Sequence, residues 1–99
     1  MNNLFIKQKK GIAKDKVFYF DDIRRLSKYI SGNIFDDDCV LWAGTIKKGY
    51  NIFYYRKNKH VLNRLLYINY VGDLEDGEYI HMTCGNNNCC CVNHIEKIS

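Results

Sequence analysis

The feature that most constrains this chain is the concentration of cysteine and histidine near its end. Four of the five cysteines and two of the three histidines lie between His81 and His94. Within that stretch Cys84, Cys89 and His94 follow one another at intervals of five residues. Thiolate and imidazole groups spaced in this way can close on one tetrahedral Zn²⁺ without straining the backbone. The sequence therefore predicts a structural zinc site.

A fourth zinc ligand is available in Cys39, the one cysteine outside the cluster. The predicted ligand set is Cys39, Cys84, Cys89 and His94. It closes a loop of more than forty residues. Cys90 or Cys91 could replace Cys89 as the ligand. His81 has two interpretations, as a competing zinc ligand or as a side chain with a separate role. A disulfide is disfavoured, because adjacent cysteines rarely meet disulfide geometry and nothing in the chain indicates secretion.

Length and composition indicate one folded domain spanning residues 1–99. Hydrophobic residues make up 46% and aromatic residues 14% of the chain, which excludes disorder over most of its length. A core of this size is small, so a structural metal adds needed stability. No apolar run long enough to span a bilayer and no signal peptide are found, so we expect no membrane partner. Free thiols predict a reducing intracellular compartment, the cytoplasm or the nucleus.

The positive charge is concentrated in the middle of the chain. Residues 47–64 contain six basic residues and no acid, and aromatic residues alternate with them. The basic residues are Lys47, Lys48, Arg56, Lys57, Lys59 and Arg64. Such a segment can lie along a phosphate backbone and gain affinity by counterion release. We therefore expect a nucleic-acid partner, helped by a Lys-rich arm at residues 1–16; the alternative is a hairpin with a solvated basic face.

Local patterns predict short helices and strands. Residues 1–16 are predicted to form a mobile arm or an irregular first strand. The predicted elements are a helix from Asp21 or Asp22 to Ile30, strands 40–46 and 50–57 around a turn at Lys47-Lys48-Gly49, a tight turn at Asn58-Lys59, a helix over 61–71 and a strand over 79–81. The absence of proline and the abundance of Asn, Lys, Ile and Tyr are typical of AT-rich coding, as in some large viruses, phages and mobile elements.

The order of these motifs resembles the HNH or His-Me finger endonucleases, in particular the zinc-loop branch that includes homing and phage HNH enzymes. The similarity covers residues 39–95. It is carried by Cys39-Val40-Leu41-Trp42-Ala43-Gly44, Gly49-Tyr50, Asn63-Arg64-Leu65-Leu66-Tyr67 with Gly72, Gly77 to His81, Cys84-Gly85-Asn86, and Cys89 to His94. The ligand spacing of that family favours Cys89 over Cys90 or Cys91.

The resemblance implies an α+β fold, a small zinc-stabilised His-Me finger-like domain with a β-hairpin, short helices and a C-terminal zinc loop. It implies that His81 is the general base and that Mg²⁺ is the catalytic ion. In the family a helix after the zinc loop supplies an Asn that holds this ion. The given sequence ends five residues after His94, so we expect the final helix to be missing and cleavage to be weak or lost.

Three functions follow from these expectations. The first is a zinc-stabilised nucleic-acid-binding protein derived from HNH endonucleases, with DNA as the expected partner. The second is an active, metal-dependent HNH DNA endonuclease, as a homodimer or in a larger assembly. The third is a structural subunit of a viral or nucleoprotein assembly. Mg²⁺-dependent nicking that requires His81 would distinguish the second from the other two.

Overall fold

The computed structural model describes residues 2–98 and has the α+β architecture that the sequence predicts. Its helices are α1 (Asn2–Ile6), α2 (Phe20–Ser27) and α3 (Leu62–Tyr70), and its strands are β1 (Ile46–Lys47), β2 (Tyr50–Tyr55), β3 (Asn58–Val61), β4 (Tyr79–Met82) and β5 (Ile95–Ile98). Strands β1, β2 and β3 form one antiparallel sheet, and β4 pairs with β5 in a second. A short 3-10 turn, Val92–His94, leads into β5.

Helix α2 forms because its apolar residues share one face. Ile23 and Leu26, three positions apart, are both fully buried. The Asp22 carboxylate accepts a 3.0 Å hydrogen bond from the Tyr19 amide, which precedes the helix. The N-cap is therefore Tyr19, and both Asp21 and Asp22, the predicted N-caps, lie in the first turn. The helix ends at Ser27, three residues short of the predicted end.

Two tight turns connect the strands of the three-stranded sheet. Lys48 and Gly49 have φ of 55° and 82°, so the first turn lies where it was predicted. Positive φ at both central residues matches the twist of a two-residue hairpin. The second turn is at Arg56-Lys57, with φ of 50° and 66°. The prediction of a turn at Asn58-Lys59 was wrong by two residues, since these begin β3.

The segment predicted as a strand over 40–46 pairs with a different part of the chain. Only Ile46 belongs to β1. The Trp42 amide donates to the Asn88 carbonyl at 2.9 Å, and the Cys90 amide donates to the Val40 carbonyl at 2.7 Å. This segment therefore contacts the cysteine-rich loop, where it brings Cys39 into position.

The N-terminal segment packs on the core, whereas the sequence suggested a mobile arm or an irregular strand. Leu4 of α1 is 8% exposed, and its carbonyl accepts a 2.8 Å hydrogen bond from the Tyr70 hydroxyl. The Lys9 amide donates to the Asn69 carbonyl at 2.8 Å. The Asn69 side-chain oxygen also accepts a hydrogen bond from Gln8 at 2.7 Å. The last turn of α3 thus holds the N-terminal segment against the domain.

Helix α3 lies at the centre of the core and agrees with the predicted helix to within one residue at each end. Around it pack aromatic and aliphatic side chains from every part of the chain. Buried members of this core include Phe18, Ile23, Leu26, Ile34, Trp42, Phe53, Tyr55 and Met82, together with Leu62, Leu65, Leu66 and Tyr70 of α3 itself. None of the helices within residues 2–98 has the length and hydropathy to cross a membrane.

Candidate metal centre

Four side chains from three parts of the chain converge on one point. They are Cys39, Cys84, Cys89 and His94, the predicted ligand set, and their ligand atoms all lie within 4.8 Å of one another. The Sγ atoms of Cys39 and Cys89 are each 3.6 Å from Nδ1 of His94. Tetrahedral coordination at the usual Zn–S and Zn–N bond lengths places sulfur and nitrogen about 3.6 Å apart. The geometry of this cluster therefore suits a tetrahedral ion.

Tight turns in the loop between β4 and β5 position the ligands of that loop. The Gly85 amide donates to the Met82 carbonyl at 2.9 Å, with Gly85 at φ 79°, a conformation that favours glycine. The Asn86 carbonyl accepts from the Cys89 amide at 3.1 Å, and the Asn86 side chain accepts from the Asn88 amide at 2.9 Å. Asn86 thus closes a turn that brings Cys89 back toward Cys84.

His94 and Cys39 are held by longer-range contacts. The His94 carbonyl accepts a 2.7 Å hydrogen bond from the Thr83 amide across the base of the loop. The segment before Cys39 also contacts the loop, because the Val92 amide donates to the Ile34 carbonyl at 2.9 Å. Together with the Val40 and Trp42 pairing, this places Cys39 beside His94.

The remaining two cysteines face away from the cluster. Cys90 and Cys91 are fully buried. Burial raises the pKa of Cys90 to about 12, and the Cys91 thiol donates to the Asp36 carbonyl at 2.7 Å. Both are neutral thiols of the core. All five cysteines are free of disulfide bonds. Of the three adjacent cysteines, Cys89 is the one whose sulfur lies in the cluster.

The charge balance of the cluster favours a bound cation. The neighbouring Cys89 and Cys84 thiols raise the pKa of Cys39 to about 12. Burial raises the pKa of Cys84, but hydrogen bonding at the Asn86 backbone and with the Cys39 and Cys89 thiols outweighs it, and the net shift is downward. Three crowded thiols ionise together only when a positive charge lies between them. Three thiolates and one imidazole form a donor set that suits a structural metal such as zinc.

Asn63 supports the loop from behind, a role that the sequence reasoning missed. It is 3% exposed, and its side-chain nitrogen donates to the carbonyls of Cys89 at 2.9 Å and Asn87 at 3.3 Å. Its side-chain oxygen accepts a 3.0 Å hydrogen bond from the buried amide of Asn51. The available signal was a polar residue between the leucines of a predicted helix, on its apolar side.

His81 lies outside the four-residue cluster. It is on β4, directly opposite Glu96 of β5, and its Nε2 is 3.7 Å from the Glu96 carboxylate. Its side chain is 53% exposed. It opens onto a cavity of about 230 Å³ that is also lined by Arg64, Tyr79 and Asn87. The imidazole is therefore accessible to a ligand from outside.

Four of the six basic residues predicted to bind nucleic acid are free at the surface. Two of them, Lys47 and Lys59, pair across the strands with Tyr50 and Tyr54, respectively. Paired residues share a face, so these two lysines and two tyrosines project from the exposed face of the three-stranded sheet. We call this the outer face. Lys59 lies close enough to Lys47 to lower the pKa of the Lys47 ammonium. The other two lysines, Lys48 and Lys57, occupy the two hairpin turns.

The two arginines in the predicted set instead bind their own chain. Arg56 donates to the Lys14 carbonyl at 2.8 Å. Arg64 donates to the carbonyls of Glu78 at 2.7 Å and Glu75 at 3.2 Å, and so holds the loop that leads into β4. Their guanidinium groups are partly committed to structure, which sequence reasoning from charge alone did not anticipate.

Comparison with known proteins identifies a viral relative. Over 103 aligned residues the chain is 39% identical to an uncharacterized protein of Acanthamoeba polyphaga mimivirus. The alignment covers 95% of the chain but 30% of the relative, so the chain spans less than a third of that protein. No protein-family model matches the chain, and no solved structure matches it. A viral relative agrees with the AT-rich composition.

Proposed function

We propose that this chain is a nucleic-acid-binding protein, stabilised by one structural Zn²⁺ and derived from HNH endonucleases. The observation that carries the proposal is the outer face, where Lys47 and Lys59 lie beside two exposed tyrosines. Tyr50 is 46% exposed and Tyr54 is 52% exposed.

Two like charges held close together are unfavourable in the free protein. The nearby Lys59 ammonium lowers the pKa of Lys47, in the direction expected for two like charges. A bound phosphate relieves the repulsion between them, and the displaced counterions add a favourable entropy. The ammonium of Lys59 also lies 5.8 Å from the Tyr54 ring centroid, so charge and aromatic surface are presented together. DNA phosphate and exposed bases both match such a surface.

The proposed origin rests on the resemblance, and the order of the elements is compatible with it. Three of the four cluster residues, Cys84, Cys89 and His94, lie in the loop between β4 and β5, and β4 carries His81. In the related enzymes the corresponding histidine and zinc loop have this order. Zn²⁺ would be held by Cys39, Cys84, Cys89 and His94, where it would tie the loop to the rest of the domain.

Titration of a fluorescein-labelled DNA duplex, followed by anisotropy at several salt concentrations, tests this function. We expect affinity to fall steeply with salt. Lys47→Glu and Lys59→Glu should each weaken binding, and loss of one phosphate contact should lower the salt slope by about one. The matched control is Arg24→Glu, which makes the same charge change at an exposed position of α2.

Two results would contradict the proposal. Equal loss in Arg24→Glu and in the two lysine variants would show that net charge alone drives binding. Binding that is insensitive to salt, or absent for every nucleic acid tried, would favour the third function, a structural subunit that contacts protein.

Cleavage is a second candidate function, favoured by the position of His81. Its exposed imidazole faces the 230 Å³ cavity, and the nearby Arg64 guanidinium can attract phosphate. The His81 ring would accept a proton from an attacking water, and an active enzyme would also use Mg²⁺. Within residues 2–98 the cysteine cluster is the only group of three or more His, Cys, Asp or Glu side chains placed to hold an ion. We propose cleavage as the weaker candidate, because the Arg64 guanidinium already donates to the Glu78 and Glu75 carbonyls.

A further inference from the structure

A groove borders the outer face on the side of α2. It has a volume of about 570 Å³, within the range of roughly 300–1,000 Å³ that is usual for ligand sites. It lies between the C-terminal end of α2 and strand β2. The residues that matter for its chemistry are Arg25, Lys28, Tyr29, Trp42, Gly44 and Tyr54.

Aromatic rings form the wall and floor of this groove. Tyr29 is 43% exposed and Tyr54 is 52% exposed, whereas Trp42 is 4% exposed. The Tyr29 ring centroid lies 5.3 Å from that of Trp42, so the buried indole supports the exposed phenol. A Cβ at Gly44 would lie 2.6 Å from the Trp42 ring, so only glycine fits there without moving the indole. The exposed Tyr29 ring is thus supported by a buried indole, and the exposed Tyr54 lines the same groove.

Positive charge lies along the edge of the groove. The Arg25 guanidinium is fixed 4.7 Å from the Phe53 ring centroid and donates to the Tyr54 carbonyl at 2.9 Å. Arg25 also pairs with Asp22, at 3.0 Å, which offsets part of its charge. Lys28 is exposed and forms no ion pair with any described residue. Within the described part of the chain, residues 2–98, no carboxylate lines the groove.

We propose that this groove takes an unpaired base of a nucleic-acid strand lying across the outer face. The base stacks on Tyr29 and Tyr54, and Lys28 contacts the adjoining phosphate. Tyr54 belongs to both the groove and the outer face, so a strand held by Lys47 and Lys59 passes directly to the groove. Every base has a flat face, so this mode of binding tolerates sequence. The inference rests on the proposed function and adds a preference for unpaired strands.

The test compares labelled single strands of DNA and of RNA, about 12 nucleotides long, with a duplex of the same sequence. We expect the single strands to bind more tightly and to quench 2-aminopurine placed within them. Tyr29→Leu and Tyr54→Leu should each weaken single-strand binding by about tenfold. Duplex affinity should change by less than about twofold, because phosphate contacts are kept.

Matched controls separate stacking from damage to the fold. Tyr54→Phe keeps the ring and should keep single-strand affinity. Tyr79→Leu removes an exposed tyrosine outside the groove and should leave it unchanged. Unaltered zinc content in each variant shows that the domain is folded.

The outcomes distinguish this inference from the proposed function. Salt-dependent duplex binding with no preference for single strands, or Leu variants that bind single strands normally, would refute the groove and leave the nucleic-acid function standing. Failure of the unmodified protein to bind any of these strands would refute both.

Discussion

The side-chain amide of Asn63 donates a 2.9 Å hydrogen bond to the backbone carbonyl of Cys89. One residue thus joins α3, the centre of the core, to a member of the Cys/His cluster. Because Cys90 and Cys91 are core residues themselves, the cluster and the core share adjacent positions of the chain. The two should therefore form and unfold together.

Removal of one metal ligand tests the cluster directly. We expect the protein to bind one Zn²⁺ and Cys39→Ser to lose most of it, because three ligands hold the ion less tightly than four. Metal analysis of the dialysed protein gives the zinc content. Cys91→Ser is the matched control, since its hydroxyl can still donate to the Asp36 carbonyl, and it should keep the ion. Full zinc content in Cys39→Ser would exclude Cys39 as a ligand.

Removal of zinc by a chelator should unfold the chain, because metal binding contributes to folding, and so abolish the circular dichroism of the folded protein.

Substitution of Asn63 tests the coupling between core and metal loop. Asn63→Ala removes the side-chain donor to the Cys89 carbonyl and the side-chain acceptor of the Asn51 amide, both in a buried setting. We expect a loss of roughly 2–4 kcal/mol in the free energy of unfolding. Urea denaturation at one fixed free-zinc concentration measures it, because bound metal adds to apparent stability. Asn58→Ala, at an exposed position of β3, should change little; equal effects in the two variants would argue against the coupling.

Substitution of Tyr70 tests whether the N-terminal segment packs against the core. Tyr70→Phe removes the hydrogen bond to Leu4 and should cost about 1 kcal/mol. Hydrogen exchange at the Lys9 amide should then become faster. Rapid exchange at this amide in the unmodified protein would restore the mobile arm as the better description.

The same residue predicts a pH dependence. Burial raises the pKa of Tyr70 well above its ordinary value. The folded phenol therefore keeps its proton after the unfolded one has ionised, so stability is fully present below about pH 10 and declines above it. Part of that decline should vanish in Tyr70→Phe, as measured by urea denaturation across alkaline pH.

His81 tests the second function. We expect purified protein to nick supercoiled plasmid slowly in Mg²⁺ or Mn²⁺, or not at all. Any genuine activity should disappear in His81→Ala while DNA affinity is kept. His60→Gln is a control, because His60 packs against Tyr55 away from the cavity. Rapid cleavage that requires His81 would make the endonuclease the correct function.

The predictable parts of this structure are those specified locally. Helix α3 has an apolar stripe, and Cys84, Cys89 and His94 are close enough in sequence for short turns to bring them together. Cys39 could be named because no other cysteine was available, although its path to the site depends on the distant pairing of Trp42 with Asn88.

The errors arise where distant contacts override local pattern. Helix α1 has five residues, too short to be stable alone, and it depends on contacts such as that between Leu4 and Tyr70. The segment 40–46 was predicted to pair as one strand of a hairpin, whereas residues 40–42 pair with the cysteine-rich loop and only its end pairs with β2. Arginine appears as free charge in a sequence, yet Arg56 and Arg64 bond to backbone carbonyls.

The turn residues Lys48 and Lys57 indicate a trade-off between stability and binding. Both hold positive φ, a conformation that disfavours a side chain by roughly 1 kcal/mol per residue and that glycine adopts freely. Glycine would remove that cost, as it does at Gly49. Lysine at both turns instead keeps a positive charge at each end of β2, as the proposed nucleic-acid binding requires. Replacement of either lysine by glycine should raise the free energy of unfolding and weaken the proposed binding of nucleic acid.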